Sequence, residues 1–206
     1  MREKVIIAIV GKKRSGKDTV GDYLRNNYAL KPAQKLAYPI KQIAKMLFNW
    51  TDEMVEGIDY DREQQIEELG MSVRQFLQEC GSLFKYELSR LIPSYGEKVG
   101  VSIWAKILVK WLEEREGIFY VTDVRFPEEV SELKNNFKNT FVIKLISDRS
   151  PNDTHISETS VDLITADYDI ENNGWNTQDE LYSKLDSVLV DIFIKTRRKE
   201  YEDSSN

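Results

Sequence analysis

KVIIAIVGKKRSGKDTV, residues 4–20, joins an apolar run to a glycine-rich loop, and this pairing decides the fold class. The β-branched run at 4–10 predicts a strand that is buried on both faces of a parallel sheet. Residues 11–17 match G-x-x-x-x-G-K, the phosphate-binding loop or P-loop. Its backbone N–H groups would converge on phosphate oxygens, the following helix would add its positive dipole end, and Lys17 would reach the β and γ phosphates.

Three later segments predict further strands: 118–123, 140–146 and the weaker 166–172. Helical patterns separate them, and strands that alternate with helices are typical of an α/β fold with a mostly parallel sheet. The long segment 17–117 reads as almost entirely helical, with one helix over about 101–116. We therefore expect a three-layer α/β/α fold of the P-loop NTPase type that carries a helical insertion.

Capping boxes mark the starts of two helices, at Ser72 with Gln75 and at Thr177 with Glu180. A capping box satisfies the first N–H groups of a helix, so each pair predicts a defined N-terminus. The C-terminal stretch 195–206 mixes both charges without an apolar face, and it predicts a fraying helix end followed by a tail.

Composition limits the class of protein. With 206 residues and no linker rich in Pro, Gly or Ser, the chain is expected to form one domain over 1–206. A net charge of −6 argues against a nucleic-acid-binding protein. Cys80, the single cysteine, fits a reducing compartment and is expected to be buried. The N-terminal apolar run is too short for a membrane span, so we expect a cytoplasmic protein.

The strand-ending motif narrows the class of P-loop protein. A GTPase switch normally carries N-K-x-D, which this sequence lacks. A motor ATPase usually places a catalytic Glu after its strand-ending Asp, whereas Asp123 is followed by Val124 and Arg125. Kinases of small phosphorylated acceptors need arginines, because two polyanions approach each other closely. The candidate cations are Arg14, Lys41, Arg62, Arg74, Arg125 and Arg149.

An acceptor wall is predicted on the helix that starts at Ser72. Arg74, Gln78 and Gly81 lie on its polar face. A glycine inside a helix costs about 1 kcal/mol relative to alanine, so we expect a ligand or another helix to approach Gly81 closely.

A polar stretch, 147–162, follows a predicted strand and is too long for a simple connection. We expect a lid that excludes water and brings Arg149 to the transferring phosphoryl group. His155, the only histidine, is expected to have a structural or substrate-contact role, because an acceptor phosphate needs little general-base help. By the same argument, Asp123 would orient a water of Mg²⁺, the sugar or an arginine rather than abstract a proton.

Several stretches together carry a resemblance: KRSGKDT (13–19), LAYPIK (36–41), GIDYDRE (57–63), SVRQFLQECGS (72–82), SIWAKI (102–107), TDVRFPEEV (122–130), NDTHISE (152–158) and DIENNG (169–174). Over nearly its full length the chain resembles the bacteriophage deoxynucleoside monophosphate kinases. GIDYDRE and NDTHISE in this order are specific to that family.

The resemblance implies transfer of the γ-phosphoryl group of ATP, with Mg²⁺, to a deoxynucleoside 5′-monophosphate for DNA precursor synthesis. ATP phosphates would be bound by Lys13, Arg14, Gly16, Lys17, Asp18 and Thr19, to which the loop motif adds Gly11 and Ser15. Mg²⁺ is expected at Asp18 and Thr19, where Asp18 either caps the helix or binds a water of the metal. The expected catalytic residues are Lys17, Arg14, Arg125, Asp123 and Arg149.

The same resemblance assigns the deoxynucleotide to one set of residues: Lys41, Arg62, Arg74, Gly81, Ser82, Trp104, Asp123, Arg125 and Glu129, beside Gln78 on the same helix. It implies that about 38–116 forms the acceptor-binding insertion, and it suggests a homodimer. Two alternatives stay open. Animal-type phosphomevalonate kinases look similar around GKKRSGKD and the strand-ending Asp-x-Arg, and a regulatory module that binds nucleotide without transfer would keep the same loop.

Overall fold

The computed structural model describes residues 4–91, 103–150 and 156–204. The chain divides into two compact units. We call Met1–Lys35 together with Leu108–Asn206 the sheet unit, and Leu36–Ile107 the insertion unit. No helix in the described part of the chain is both long and apolar enough to cross a membrane.

The elements follow one another along the chain as α-helices and β-strands. The strands are β1 Val5–Gly11, β2 Lys31–Pro32, β3 Gln65–Ile66, β4 Met71–Ser72, β5 Ile118–Val121, β6 Asn139–Ile146 and β7 Tyr168–Glu171. The helices are α1 Lys17–Tyr28, α2 Tyr38–Phe48, α3 Asp52–Glu56, α4 Val73–Leu91, α5 Ile103–Glu113, α6 Pro127–Asn136, α7 Ile156–Thr159 and α8 Gln178–Ser204. A 3₁₀ turn at Ser160–Leu163 follows α7.

The sheet unit contains a five-stranded sheet in the order β2-β5-β1-β6-β7, and every neighbouring pair is parallel. Strand β1 lies in the centre and is buried along its whole length. Because all strands run the same way, their carboxyl ends meet at one edge of the sheet, the usual ligand edge of such folds. The phosphate loop leaves β1 at this edge, and Asp123 follows the end of β5 there. The predicted parallel α/β sheet is confirmed.

Helices cover both faces of this sheet. Ile7 of β1 belongs to a buried cluster that includes residues of α1 and α8. Phe119 of β5 lies beside Ile6 in the register, so it points to the opposite face. There it meets Trp111 of α5 in an edge-to-face contact with ring centroids 5.7 Å apart. The sheet therefore lies between two helix layers, and β1, which leads into the phosphate loop, is buried along its whole length.

The insertion unit has its own small core. A two-stranded antiparallel sheet, β3 with β4, leads into α4. The core residues come from α2, α3, α4 and the loop after α2: Ala44, Trp50, Val55 and Val73. The rings of Phe48, Trp50 and Phe76 pack with centroids 5.0 to 5.3 Å apart. This aromatic cluster packs the end of α2 against the start of α4, the helix that carries Arg74, Gln78, Gly81 and Ser82.

Both predicted helix starts form hydrogen bonds of the expected kind. The Oγ of Ser72 accepts from the backbone N–H of Gln75 at 3.2 Å. At α8 both halves of the box form, since Thr177 Oγ1 accepts from the N–H of Glu180 and Glu180 Oε2 accepts from the N–H of Thr177. The local pairing of hydroxyl and carboxylate therefore predicts the start of α8 correctly.

The sequence prediction fails at three places. The segment 17–117 is not almost entirely helical, because it contains β2, β3 and β4, two-residue strands too short to give a periodic signal. Helix α8 continues to Ser204, so most of the stretch 195–206 is helix rather than tail. There an ion pair one turn apart, Lys195 with Asp191 at 2.8 Å, stabilises the exposed helix. Cys80 is half-buried rather than buried, and that partial burial raises the pKa of its thiol.

Candidate active site

The phosphate loop runs from Gly11, the last residue of β1, to Gly16, which precedes α1. Gly16 has φ 97°, a conformation that side chains rarely adopt, and a Cβ there would lie 2.5 Å from Asn172 Nδ2. A Cβ at Gly11 would lie 2.9 Å from the carbonyl oxygen of Leu145. Both glycines of the motif are therefore required by the geometry, which confines the loop between β6 and the residue after β7.

Lys17 lies inside the loop at the start of α1. Its Nζ donates to the carbonyl oxygens of Gly11 and Lys12, each at 2.7 Å. Burial, followed by the positive charge of Arg125, lowers the pKa of Lys17 from its usual 10.5 to about 8. Lys17 Nζ also donates to the Ser15 hydroxyl at 3.5 Å. A buried ammonium with these neutral oxygen partners is the arrangement that an incoming phosphate would stabilise.

A second cation, Arg125, reaches the same loop from the end of β5. Its Nη1 donates to the carbonyl oxygen of Gly11 at 3.1 Å and pairs with Glu158 Oε1 at 2.9 Å. The other carboxylate oxygen of Glu158 accepts from the backbone N–H of Lys13 at 2.8 Å. Glu158 is almost completely buried, with 3% of its surface exposed. One carboxylate thus joins the phosphate loop to the strand-ending arginine.

Glu129 has a structural contact beside this site. Its Oε2 accepts from the backbone N–H groups of Arg125 and Phe126, at 2.8 and 3.2 Å. The side chain is buried, and from the first turn of α6 it accepts back from the N–H of Phe126, the residue before the helix. The predicted contact of Glu129 with the deoxynucleotide stays a prediction, whereas its capping bonds fix the backbone from which Arg125 extends.

A cavity of about 430 Å³ opens beside the loop, within the sheet unit. Its lining includes the predicted phosphate ligands Arg14, Gly16, Lys17, Asp18 and Thr19, together with Arg149, Asn172, Asn176, Thr177, Gln178 and Leu181. This volume lies in the range of small-molecule sites. The cavity continues from the loop to the start of α8, so it offers room for the remainder of a molecule whose phosphates bind the loop.

Asn172 connects the loop to this cavity wall. Its side-chain Nδ2 donates to the backbone carbonyl oxygen of Ser15 at 2.9 Å. Its backbone carbonyl oxygen accepts from Arg149 Nη2 at 3.0 Å. Both Asn172 and Ser15 are buried. Asn172 therefore fixes the backbone of the phosphate loop on one side and the Arg149 guanidinium on the other.

The first turn of α1 carries the donors expected for Mg²⁺. Asp18 is exposed, Thr19 is half-exposed, and both line the cavity next to Lys17. Among the described residues no group of three or more His, Cys, Asp or Glu side chains gathers into a metal site. Mg²⁺ at kinase sites is usually bound through one or two protein ligands together with phosphates and water. The donor set at Asp18 and Thr19 therefore suits that ion.

The remaining predicted cations lie in the insertion unit, each with a nearby acceptor. Lys41 is buried, and its Nζ lies 2.6 Å from Glu56 Oε2. Arg62 Nη1 donates to the carbonyl oxygen of Val55 at 3.3 Å. On α4, Arg74 Nε lies 3.4 Å from Glu63 Oε1. The backbone N–H of Arg74 also donates to the carbonyl oxygen of Arg62 at 3.0 Å, which brings these two arginines together.

The other acceptor candidates lie on α4 and α5. Trp104 Nε1 donates to the carbonyl oxygen of Gly81 at 3.1 Å, and Gln78, Ser82 and Trp104 are all half-buried. A Cβ added at Gly81 would meet no described atom within 4 Å. Among the described residues no helix approaches the open side of Gly81, since Trp104 reaches the backbone carbonyl instead, and the expected approach of a ligand stays a prediction. His155 lies outside the described residues.

Two site residues, Glu158 and Asn172, were not predicted as such. Both fall in stretches that carry the family resemblance, NDTHISE and DIENNG. Their partners are Lys13 and Ser15, 145 and 157 positions away along the chain. Nothing in the local pattern around either residue indicates such a partner.

Comparison with known proteins agrees with this geometry. Residues 5–92 match the family described as Deoxynucleotide monophosphate kinase. A putative deoxynucleotide monophosphate kinase of Acanthamoeba polyphaga mimivirus is 28% identical over 193 residues, covering 90% of this chain and 96% of that protein. The deoxynucleotide monophosphate kinase of Escherichia phage RB69 is 26% identical over 245 residues and covers 89% and 99%. That of Enterobacteria phage T4 is 24% identical over 242 residues and covers 89% and 98%.

These matches confirm the predicted resemblance, and they extend over most of the chain rather than the phosphate loop alone. A match restricted to the loop would have indicated nucleotide binding of any kind. The parallel sheet and the loop geometry agree with the same class of protein. The chain is a P-loop kinase related to the deoxynucleotide monophosphate kinases of phages and a mimivirus.

Proposed function

We propose that the chain transfers the γ-phosphoryl group of ATP to a deoxynucleoside 5′-monophosphate, giving the diphosphate used as a DNA precursor. The observation that carries this proposal is the phosphate loop, in which buried Lys17 and half-buried Arg125 converge on the carbonyl oxygen of Gly11. The names of the relatives supply the acceptor class. Because two of those relatives are phage enzymes, the proposed place of action is the host cytoplasm.

We propose that ATP binds with its phosphates on the loop and its nucleoside in the neighbouring cavity. Backbone N–H groups of the loop, the first turn of α1 and Lys17 would bind the β and γ phosphates. Arg14 and Arg149 line the same cavity and would bind phosphate oxygens through their guanidinium forks. Bound at Asp18 and Thr19, Mg²⁺ would neutralise charge on the β and γ phosphates.

For the acceptor we propose Lys41, Arg62 and Arg74 as ligands of the monophosphate, with Gln78, Ser82 and Trp104 near the nucleoside. Each of these cations already has an oxygen partner. The more highly charged phosphate would displace that oxygen or bind beside it. Asp123 and Arg125, at the end of β5, are the proposed contacts from the sheet unit.

Catalysis would then come from positioning and charge. Phosphoryl transfer needs little covalent chemistry from the protein, so the gain comes from orienting donor and acceptor and from stabilising charge on the transferring group. Lys17 and Arg125 are the proposed charge-stabilising residues. The acceptor phosphate is anionic near neutral pH, so no residue is assigned as a general base.

The test is a substrate panel. ADP formation should be measured for the purified chain with ATP, Mg²⁺ and each of the common deoxynucleoside monophosphates, with phosphomevalonate and water alone as control acceptors. We expect at least one deoxynucleotide to stimulate ADP release well above the water control. Stimulation by phosphomevalonate alone would replace the proposed acceptor class. ATP binding without stimulation by any acceptor would favour a regulatory module.

A further inference from the structure

Glu158 lies between the phosphate loop and Arg125, although a carboxylate is an unexpected neighbour for a phosphate-binding loop. It lies within the predicted lid, 147–162, in the short helix α7. Its two oxygens have different partners, the Lys13 N–H of the phosphate loop and the Arg125 guanidinium. A buried carboxylate costs free energy unless its oxygens have hydrogen-bond or ionic partners, and both oxygens of Glu158 have one.

One reading of this contact is that Glu158 imitates a phosphate and must leave when nucleotide binds. The packing of its segment argues against departure. Ser160 and Val161, in the 3₁₀ turn directly after α7, are buried, with 9% and 1% of their surface exposed. The loop and this turn are joined a second time by the ion pair of Lys12 with Asp162 at 2.7 Å. Removing Glu158 from the loop would expose buried side chains and separate a second pair of charges.

The charges around Arg125 indicate what Glu158 does while it stays. Arg125 and Lys17 both donate to the carbonyl oxygen of Gly11, so two cations lie close together in a partly buried site. Like charges at that distance repel each other, and Arg125 retains access to solvent, since 24% of its side chain is exposed. Without a carboxylate beside it, the guanidinium would gain by turning toward water.

We propose that Glu158 is a positioning residue for phosphoryl transfer, fixing the Arg125 guanidinium against the phosphate loop through a two-sided contact with Arg125 and the Lys13 N–H. The inference rests on the proposed function for its kinetic consequence. It predicts that Glu158 acts mainly on the rate of transfer, because its charged partner is Arg125, a proposed charge-stabilising residue. Its other partner, the Lys13 N–H, is one donor among several in the phosphate loop, so ATP affinity should change less than the rate.

Kinetics of Glu158→Ala and Glu158→Gln test the proposal. In Glu158→Ala we expect kcat to fall by on the order of 10- to 100-fold, with the KM for ATP changed less than about twofold. Glu158→Gln keeps an acceptor for the Lys13 N–H but loses the charge, so its kcat should lie between those of the wild type and the alanine variant. The matched control is Asp162→Asn, which breaks the exposed ion pair to the same loop and should change kcat less than about twofold.

A double-mutant cycle with Arg125→Ala separates positioning from a general effect on folding. If Glu158 acts through Arg125, the double variant should be no slower than Arg125→Ala alone. Additive losses would overturn the proposal. So would an unchanged kcat with ATP binding at least tenfold tighter in Glu158→Ala, because that result identifies a displaced phosphate mimic.

A measurement without substrate keeps the inference separate from the proposed function. The side-chain N–H signals of Arg125 should be resolved by NMR in the nucleotide-free wild type, where the guanidinium has fixed acceptors. In Glu158→Gln they should broaden or move to the position of solvated arginine. An unchanged Arg125 spectrum would overturn the positioning role, even if the substrate panel confirmed the kinase reaction. The expected spectral change would support the role even if no deoxynucleotide stimulated turnover.

Discussion

The two units differ in how far along the chain their lysine and arginine residues lie from their bonding partners. In the sheet unit, Arg125 contacts Gly11, 114 positions away, and Lys13 contacts Glu158, 145 positions away. In the insertion unit, Lys41 pairs with Glu56, 15 positions away, and Arg62 bonds to Val55, 7 positions away. The phosphate loop is therefore arranged by the whole sheet, whereas the insertion unit arranges its charges within one continuous segment. Replacing a phosphate-loop cation of the sheet unit should therefore lower kcat. Replacing a cation of the insertion unit should raise the KM for the deoxynucleotide alone.

Lys17→Met gives the largest expected effect and tests the sheet unit. It removes the buried charge that is proposed to stabilise the transferring group, so we expect kcat to fall by about 10³-fold. The measurement is steady-state ADP release with circular dichroism to check the fold. Lys12→Met, in the same loop but paired with exposed Asp162, is the control and should stay within about twofold. Equal losses in both variants would contradict a special role for Lys17.

Lys41→Met tests the other half of the comparison. We expect the KM for the deoxynucleotide to rise about 30-fold, on the order of 2 kcal/mol, with the KM for ATP nearly unchanged. The matched control in the same unit is Lys45→Met, whose partner Asp52 is exposed, and it should change either KM less than twofold. If Lys41→Met raised the KM for ATP instead, the assignment of the insertion unit to the acceptor would be wrong.

The pH dependence of ATP binding sharpens the role of Lys17. Its pKa of about 8, lowered mainly by burial, means that the amine loses its proton as the pH rises through 8 in the nucleotide-free protein. Bound phosphates favour the charged form, so ATP binding should take up a proton, approaching about one per ATP at pH 9 and about zero at pH 6.5. Calorimetry in buffers of different ionisation enthalpy measures this uptake.

Lys17→Arg is the control for that measurement, because a guanidinium stays protonated throughout the range. The variant should bind ATP without proton uptake at either pH. Proton uptake that persisted in Lys17→Arg would assign the titration to another group.

The same lowered pKa affects stability in a defined direction. A lysine with a folded pKa below its unfolded value costs stability while it is charged, below about pH 8, and that cost is relieved as the pH rises toward 10.5.

Asn172→Ala gives the smallest expected effect. It tests whether the bond from Asn172 to the Ser15 carbonyl stabilises the phosphate loop. Loss of the bond to the Ser15 carbonyl leaves a buried acceptor unsatisfied, which costs on the order of 1 to 2 kcal/mol. For a chain of this length we expect the Tm to fall by about 3 °C, measured by differential scanning calorimetry. Asn27→Ala, whose bond to the Tyr23 carbonyl is exposed, is the control and should leave the Tm within about 1 °C. An equal loss in both would remove the special support assigned to Asn172.

The sequence predicted those parts of the fold and site that depend on neighbouring residues. The buried run before Gly11, the loop glycines and the capping box at Thr177 each act within a few positions, and the structure has a strand, a phosphate loop and a helix start there. Short strands such as β2 could not be predicted, because two residues carry no periodicity and their pairing depends on β5.

The predicted cations show the same division. Lys17 and Arg125 were identified from the loop motif and the strand-ending Asp-x-Arg, and the structure brings both to the Gly11 carbonyl. Glu158 was not identified, because a glutamate in a polar stretch resembles any surface carboxylate until the fold buries it. The predicted roles of the acceptor residues, the lid at 147–162 and the homodimer stay predictions.

The sequence by itself determined the α/β class, the phosphate loop and the resemblance to a kinase family, because hydrophobic period, glycine spacing and short motifs are properties of contiguous residues. Only the tertiary structure decided that Asn172 supports the loop and that Glu158 joins it to Arg125. The physical reason is distance along the chain. Contacts between residues more than a hundred positions apart form only when β1, β5, β6 and β7 assemble side by side and bring their carboxyl ends to one edge.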